Sequence, residues 1–351
     1  MQPQAIVRDL PAAKAALEAF RGATPVERVL LVGDGASWNA TGARRWFEAN
    51  GFAGMSSFFD FSPNPKESDV ARGVEAWKAA GAEKLLAVGG GSAIDMAKLV
   101  GFFAANDVGL EGALALEDVG AMPPFFAFPT TAGTGSEATH FAVCYRGREK
   151  FSVAHPLLRP QGVGLFAEWT ASMPPTVAAA SGMDALAHGI ESWWAKGATA
   201  ESRAWAEKAI RGARANLAAA VNAPTPEVRR AMLEAAHAGG EAINISKTTA
   251  GHAYSYILSA TFRIPHGRAV GILLPHFLRL AEGNGLANPW ISSAEAEALL
   301  EETGLAAKLP TDADSLEKLL SENVNRERLG NHPFPVPGSF VRSLAESLAA
   351  S

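Results

Sequence analysis

The stretch KLLAVGGGSAIDMAKLVGFF, from Lys84 to Phe103, decides the fold. Its first residues form a short apolar run typical of a buried strand, and a helical pattern begins at Ala93. Glycines let a backbone approach a phosphate closely, and a helix N-terminus offers free N–H groups and a partial positive charge to an anion. The turn between strand and helix is therefore a candidate nucleotide phosphate site, formed by Gly89, Gly90, Gly91 and Ser92.

Similar apolar runs precede and follow this stretch, at Arg28–Val32 and Phe125–Phe128. Helical patterns lie between them, and this alternation predicts a parallel sheet covered by helices on both faces. After Pro174, alanine-rich helical patterns dominate. We therefore predict an α/β, Rossmann-like nucleotide domain over residues 1–170 and an all-α domain over residues 171–351.

A second polar loop, PTTAGTGSE from Pro129 to Glu137, also follows a predicted strand. Two such loops after successive strands of one sheet are typical of a dinucleotide crevice. Asp34 ends an earlier predicted strand, where its carboxylate can accept hydrogen bonds from an adenosine ribose. The same carboxylate would repel the 2′-phosphate of NADP(H), so we expect NAD(H). The alternative for the glycine turn is a tight connection without a ligand, because it lacks the G-x-G-x-x-G pattern.

The helical half carries spaced carboxylate and imidazole side chains. Asp184 and His188 are four residues apart in SGMDALAHGIES and share one helix face. His252 and Tyr256 repeat that spacing in TTAGHAYSY, and His266 follows in IPHGRAV. Three imidazoles and one carboxylate suit Fe²⁺ or Zn²⁺ better than Mg²⁺ or Ca²⁺. The alternative is that each is a hydrogen-bonded core residue, since spacing alone does not bring the segments together.

Together these motifs resemble those of the iron-containing (group III) alcohol dehydrogenase family. GGGSAIDMAK is similar to its diphosphate loop and PTTAGTGSEAT to its nicotinamide-side loop. GMDALAHGIES, GHAYSY and IPHG are similar to its metal-ligand segments. The resemblance implies the dehydroquinate synthase-like, two-domain architecture and an NAD(P)-dependent alcohol dehydrogenase or aldehyde reductase, with its active site in the cleft between the domains.

The resemblance also implies the roles of individual residues. The implied ligands of the metal, Fe²⁺ first and Zn²⁺ second, are Asp184, His188, His252 and His266. The implied cofactor residues are Gly89, Gly90, Gly91, Ser92, Asp95, Thr130, Thr131, Thr134, Ser136 and Lys150, beside Asp34. Tyr256 stands where many members have a histidine near the nicotinamide, so we expect it to act as a catalytic residue with His252 and His266.

Within the family, the second half resembles the branch that includes phosphonoacetaldehyde reductases, through ESWWAKGATAESRAWAEKAI and NVNRERLGNHP. We therefore predict reduction of phosphonoacetaldehyde to 2-hydroxyethylphosphonate. Lys247, Arg263 and Arg268 are candidate partners of the phosphonate. The alternative is that they are solvated cations at the surface. The alternatives are a general short-chain or polyol dehydrogenase, an NAD-using enzyme of dehydroquinate synthase type, and a nucleotide-binding protein without catalysis.

Composition narrows the classes of partner. The 351 residues carry a formal net charge of -5, which does not favour a nucleic-acid partner. Cys144 is the single cysteine, so a disulfide within the chain and a Cys-rich zinc site are excluded. No apolar run is long enough for a membrane span, and the N-terminus does not have the pattern of a signal peptide. We expect a cytoplasmic protein that forms homodimers.

Overall fold

The computed structural model describes residues 4–116, 120–147 and 149–350. The chain divides into two compact units. The first runs to Thr131 and continues over Ser136–Met173, and the second takes in Ala132–Gly135 and the chain from Pro174 onward. Four residues of the PTTAGTGSE loop therefore belong to the second unit by their contacts.

The first unit is built on a six-stranded sheet whose paired strands are all parallel. A separate antiparallel hairpin is formed by the sixth and seventh strands. In chain order the strands are β1 Ala5–Val7, β2 Val29–Gly33, β3 Ser56–Phe58, β4 Lys84–Gly89, β5 Phe125–Pro129, β6 Phe141–Arg146, β7 Glu149–Ala154 and β8 Gly162–Gly164. The order across the sheet is β1-β8-β5-β4-β2-β3.

Both faces of this sheet are buried. Successive strand residues point to opposite faces, so Leu30 and Val32 join one apolar cluster and Val29 and Leu31 the other. The helices of this unit are α1 Leu10–Arg21, α2 Gly35–Ala40, α3 Ala43–Phe47, α4 Glu67–Ala79, α5 Gly91–Asn106 and α6 Leu110–Ala115. Shorter helical turns span Val26–Arg28, Glu48–Phe52, Ser136–Ala138, Pro156–Leu158 and Ala167–Thr170.

The second unit is helical, and its described residues include no strand. Its helices are α7 Pro175–Trp194, α8 Ala200–Asn222, α9 Pro226–Ser246, α10 Ala250–Phe262, α11 His266–Gly283, α12 Ser293–Glu302, α13 Ala313–Glu322, α14 Arg326–Gly330 and α15 Gly338–Leu348. Lys247 ends α9 with a positive φ of 62°, and α10 begins three residues later. The predicted combination of a Rossmann-like parallel sheet with a helical C-terminal part is confirmed.

None of the described helices is both long enough and apolar enough to cross a membrane.

Candidate cofactor loops and metal centre

Three loops of the first unit leave the sheet at the same edge. Strands β2, β4 and β5 are neighbours, and parallel strands present their carboxyl ends together. Asp34 follows β2, and its N–H donates to the carbonyl of Val88 at 3.3 Å. Thr130 follows β5, and its N–H donates to the carbonyl of Gly89 at 3.0 Å. The predicted cofactor residues at the ends of these strands therefore lie side by side.

The glycine turn opens α5 without a side-chain cap. Gly90 is the N-cap residue of this 16-residue helix and makes no side-chain cap hydrogen bond. The side chain of Thr131 packs against Gly90, where an added Cβ would lie 3.3 Å from the threonine Oγ1. The neighbouring Thr130 is buried, and its Oγ1 has no hydrogen-bond partner in the part of the chain that the structure describes. This end of α5 offers N–H groups and hydroxyls suited to a diphosphate.

Asp95, a residue of α5, supports the loop that follows β5. Its carboxylate accepts from the Ser136 hydroxyl and, at 3.0 Å, from the N–H of Val143. Removal from water raises the pKa of Asp95, although the charge of Lys98 opposes the rise. Two predicted cofactor-site residues, Asp95 and Ser136, are therefore hydrogen-bonded to each other.

Lys98 is a support that the sequence analysis missed. Its ammonium is fully buried and donates to the carbonyls of Ser136 at 2.6 Å, Thr139 at 2.9 Å and Phe141 at 2.8 Å. Burial lowers the pKa of Lys98 to about 8. The only feature of the sequence that could have indicated this role is the position of Lys98 one helical turn after Asp95. An acidic and a basic residue at this spacing are also common on exposed helix faces.

The remaining predicted cofactor residues, Asp34, Lys150 and Thr134, lie on different elements. Asp34 is exposed and caps α2, accepting from the N–H groups of Ala36 at 3.0 Å and Ser37 at 3.3 Å. Lys150 lies on β7, and its charge acts on Asp95. Thr134 is half-buried and lies in the loop segment that groups with the second unit.

In the second unit, three predicted metal ligands converge. Asp184 comes from α7, His252 from α10, and His266 is the first residue of α11. One potential ligand atom from each lies within 4.8 Å of the other two. The Asp184 Oδ1 atom is 3.3 Å from His252 Nε2 and 3.9 Å from His266 Nε2. Asp184 and His266, more than 80 positions apart in sequence, thus meet with His252 around one point.

The fourth predicted ligand, His188, lies beside this group. Its Nε2 is 3.7 Å from Asp184 Oδ1, and its ring stacks on His252 with centroids 4.8 Å apart. It is not part of the set of three whose ligand atoms all lie within 4.8 Å of one another. His188 therefore contacts Asp184 and His252, but its ligand atoms do not lie within 4.8 Å of those of all three other residues.

The chemistry of these side chains fits a divalent cation. Asp184 Oδ1 and His252 Nε2 are buried and have no hydrogen-bond partner among the described residues, whereas buried polar atoms are normally paired. Burial alone would raise the pKa of Asp184, but His188, His252 and His266 lower it overall. Burial alone would lower the pKa of His252, but Glu191 and Asp184 raise it to about 10. The carboxylates of Glu191 and Asp184 therefore favour a positive charge at His252.

Close helix packing places His266 near Asp184. A Cβ on Gly267 would lie 1.9 Å from the carbonyl oxygen of Ala180 and 3.2 Å from the Asp184 Cβ. Only glycine at this position lets the start of α11 approach α7 so closely.

Tyr256 lies next to the centre, on α10. Its half-buried ring stacks on His266, with centroids 5.6 Å apart and an angle of 21° between the planes. The tyrosine therefore borders one of the predicted ligands.

The three predicted substrate cations differ in their surroundings. Lys247 is exposed and pairs with Glu327, Nζ to Oε1 at 2.7 Å. Arg263 is exposed and ends α10 with a φ of 53°. Arg268 is half-buried in the first turn of α11 and has no hydrogen bond or ion pair with any residue that the structure describes.

Comparison with known proteins identifies the family. The model named iron-containing alcohol dehydrogenase matches residues 3–163, and that of the C-terminal part of the Fe-containing alcohol dehydrogenase family matches residues 178–325. The chain belongs to the iron-containing alcohol dehydrogenase family. The resemblance inferred from the motifs is confirmed, and the protein is an NAD-dependent, metal-containing alcohol dehydrogenase.

Individual members are similar over most or part of the chain. Choline dehydrogenase of Bacillus subtilis is 33% identical over 294 residues, which are 77% of this chain and 73% of that enzyme. Phosphonoacetaldehyde reductase of Streptomyces viridochromogenes is 35% identical over 209 residues, 56% of this chain and 53% of that enzyme. The crystal structure of sulfoacetaldehyde reductase from Bifidobacterium kashiwanohense with NAD⁺ has a TM-score of 0.89 and 27% identity, covering 100% of this chain and 98% of the other.

Proposed function

We propose that this enzyme reduces a small aldehyde that carries a phosphonate or a similar tetrahedral anion, phosphonoacetaldehyde first, with a divalent metal held by Asp184, His188, His252 and His266. The observation that carries the proposal is the group formed by the buried Asp184 and His252 and the half-buried His266, whose ligand atoms lie within 4.8 Å of one another. His188 is included because it contacts two of the three.

Residues of the chain have distinct tasks in this reaction. When bound, the nicotinamide cofactor supplies a hydride and the metal acts as a Lewis acid on a carbonyl oxygen. The N–H groups at the start of α5 bind the diphosphate, and the exposed carboxylate of Asp34 disfavours a 2′-phosphate. Tyr256, stacked on His266, supplies the proton from its Oη to the product oxygen.

Arg268 supports the choice of an anionic substrate. It lies two residues after His266, is half-buried and has no ion-pair partner in the described part of the chain. A guanidinium binds tetrahedral anions through charge-assisted hydrogen bonds. Two of the relatives carry the names of reductases for aldehydes with such a group, a phosphonate and a sulfonate. Lys247 is a weaker candidate because it is already paired with Glu327.

The test compares aldehydes in an assay of NADH oxidation. We expect kcat/KM to be highest with phosphonoacetaldehyde, followed by sulfoacetaldehyde, and lower with acetaldehyde and lactaldehyde. R268Q should lower kcat/KM for the anionic aldehydes by on the order of 10- to 100-fold and leave the neutral ones unchanged. The matched control is R279Q on the same helix, whose arginine pairs with Glu297 at the surface.

Two results would contradict the proposal. Equal kcat/KM for neutral and anionic aldehydes in the wild type would assign a general short-chain or polyol alcohol dehydrogenase. An equal loss for both substrate classes in R268Q would remove the arginine from substrate recognition.

A further inference from the structure

Glu191 is a buried carboxylate that the mechanism above does not use. It lies on α7, one turn after His188, and is 1% exposed. Its Oε2 accepts from the N–H of Thr249 and, at 3.1 Å, from the Thr249 hydroxyl. Its Oε1 accepts from the N–H of His252 at 3.0 Å and lies 3.0 Å from His252 Nδ1. Both oxygens are therefore committed to the first turn of α10.

These contacts replace an ordinary helix cap. Thr249, the N-cap residue of α10, makes no side-chain cap hydrogen bond of its own. Glu191 takes over that task from a different helix, and so ties α10 to α7. A Cβ on Gly251 would lie 2.4 Å from Glu191 Oε1, so the glycine of GHAYSY leaves room for the carboxylate.

The contact with Nδ1 decides which nitrogen of His252 is free. The oxygens of an ionised carboxylate only accept hydrogen bonds, so the His252 nitrogen that faces Glu191 carries the proton. In the neutral imidazole, which is the form that binds a metal ion, the other nitrogen, Nε2, then has its lone pair available. It is Nε2 that lies 3.3 Å from Asp184 Oδ1, in the group of converging ligands.

We propose that Glu191 is a positioning residue that fixes the ring and the tautomer of His252, so that Nε2 is presented to the metal. This inference rests on the proposed metal centre. Glu191 lies behind the ring, on the Nδ1 side, with both oxygens occupied by other donors, and so is not itself a ligand. Hydrogen bonds from metal-ligating histidines to carboxylates orient the ring and raise its basicity.

The test measures Zn²⁺ affinity rather than activity. Zn²⁺ is titrated into the metal-free protein in competition with a chromophoric chelator. We expect E191Q to bind Zn²⁺ about 10- to 100-fold more weakly than the wild type. A glutamine has one acceptor oxygen, so in either orientation of its amide an N–H group faces the donors of Thr249 or of His252.

The matched control is T249V. It removes one donor to the same carboxylate, and with it the acceptor of the Trp194 indole N–H, but leaves both contacts with His252 in place. Its Zn²⁺ affinity should therefore stay close to that of the wild type, even where its stability falls. The stability of each metal-free variant is measured in urea. A merely structural role for Glu191 would lower stability in both variants without separating their Zn²⁺ affinities.

The outcomes distinguish this inference from the proposed function. A wild type without Zn²⁺ affinity would remove the metal centre, and the proposed function with it. A wild type that binds Zn²⁺ and an E191Q variant that binds it equally well would overturn the role of Glu191 alone. If E191Q does not fold, ¹⁵N NMR of histidine-labelled wild type loaded with Zn²⁺ decides: zinc on Nε2 of His252, with a proton on Nδ1, supports the inference, and zinc on Nδ1 overturns it.

Discussion

At the scale of single residues, the proposed metal centre depends on the absence of a side chain at Gly267. A Cβ there would lie 1.9 Å from a backbone oxygen of α7, which cannot move aside as a flexible side chain can. G267A must therefore displace the start of α11, and with it His266, from Asp184. We expect weaker Zn²⁺ binding and a loss of unfolding free energy on the order of 1–3 kcal/mol, measured by chelator competition and urea denaturation.

Gly283 provides the control on the same helix. An added Cβ at Gly283 meets no heavy atom within 4 Å, and alanine favours a helix over glycine by up to about 1 kcal/mol. G283A should therefore keep the wild-type Zn²⁺ affinity and a stability at least equal to it. Wild-type Zn²⁺ affinity in G267A would show that α11 can approach α7 without the glycine.

At the scale of elements, Lys98 holds the end of the second candidate cofactor loop and the segment that follows it. The buried ammonium satisfies three carbonyl oxygens between Ser136 and Phe141. K98M would leave these oxygens without their donor, so we expect a loss of about 3–5 kcal/mol in unfolding free energy. NADH affinity, measured by fluorescence titration, should fall as well, because this loop carries residues that are predicted to bind the cofactor.

The control for this variant is K78M. Lys78 pairs with Asp107, and both side chains are more than half exposed, so its removal should cost about 1 kcal/mol or less. NADH affinity should not change in K78M. A K98M protein as stable as K78M would mean that the loop keeps its structure without the buried cation.

The elements also show why some of the fold was predictable and some was not. Strands β2, β4 and β5 are central, and continuous apolar runs identified them. Strand β8 reads GVG and has no such run, because the rings of Phe126 and Phe128 fill the space beside its glycines: a Cβ on Gly162 would lie 2.0 Å from the Phe126 ring. The segment is a strand because it pairs with β5, which lies more than 30 residues away in sequence.

The same distinction applies to the candidate site. Spacing on one helix and the family resemblance predicted Asp184, His188, His252 and His266, since ligand types at helical intervals can be read along the chain. Glu191 and Lys98 were missed because a charged helical residue normally faces water. Only the structure shows that their partners come from segments that are distant in sequence, such as Thr249 for Glu191 and Phe141 for Lys98.

At the scale of the whole molecule, the predicted ligands all belong to the second unit and come from three of its helices, α7, α10 and α11. An ion bound by all three holds together segments that are far apart in the unfolded chain. An ion that binds only the folded state stabilises that state by about 2.7 kcal/mol when the concentration of free ion is a hundred times the dissociation constant. We therefore expect Zn²⁺ to raise the unfolding temperature of the metal-free protein, and chelation to abolish NADH oxidation.

Two histidines of α11 make this prediction specific. His266 is the first residue of the helix and lies 3.9 Å from Asp184 Oδ1, whereas His276 lies further along it, beside Ser347. H266A should lose both the thermal shift with Zn²⁺ and the turnover, because the ion then no longer links α11 to α7. H276A removes the same kind of side chain from the same helix and should keep both. A thermal shift of wild-type size in H266A would place the stabilising ion elsewhere in the molecule, since α11 would then contribute nothing to its binding.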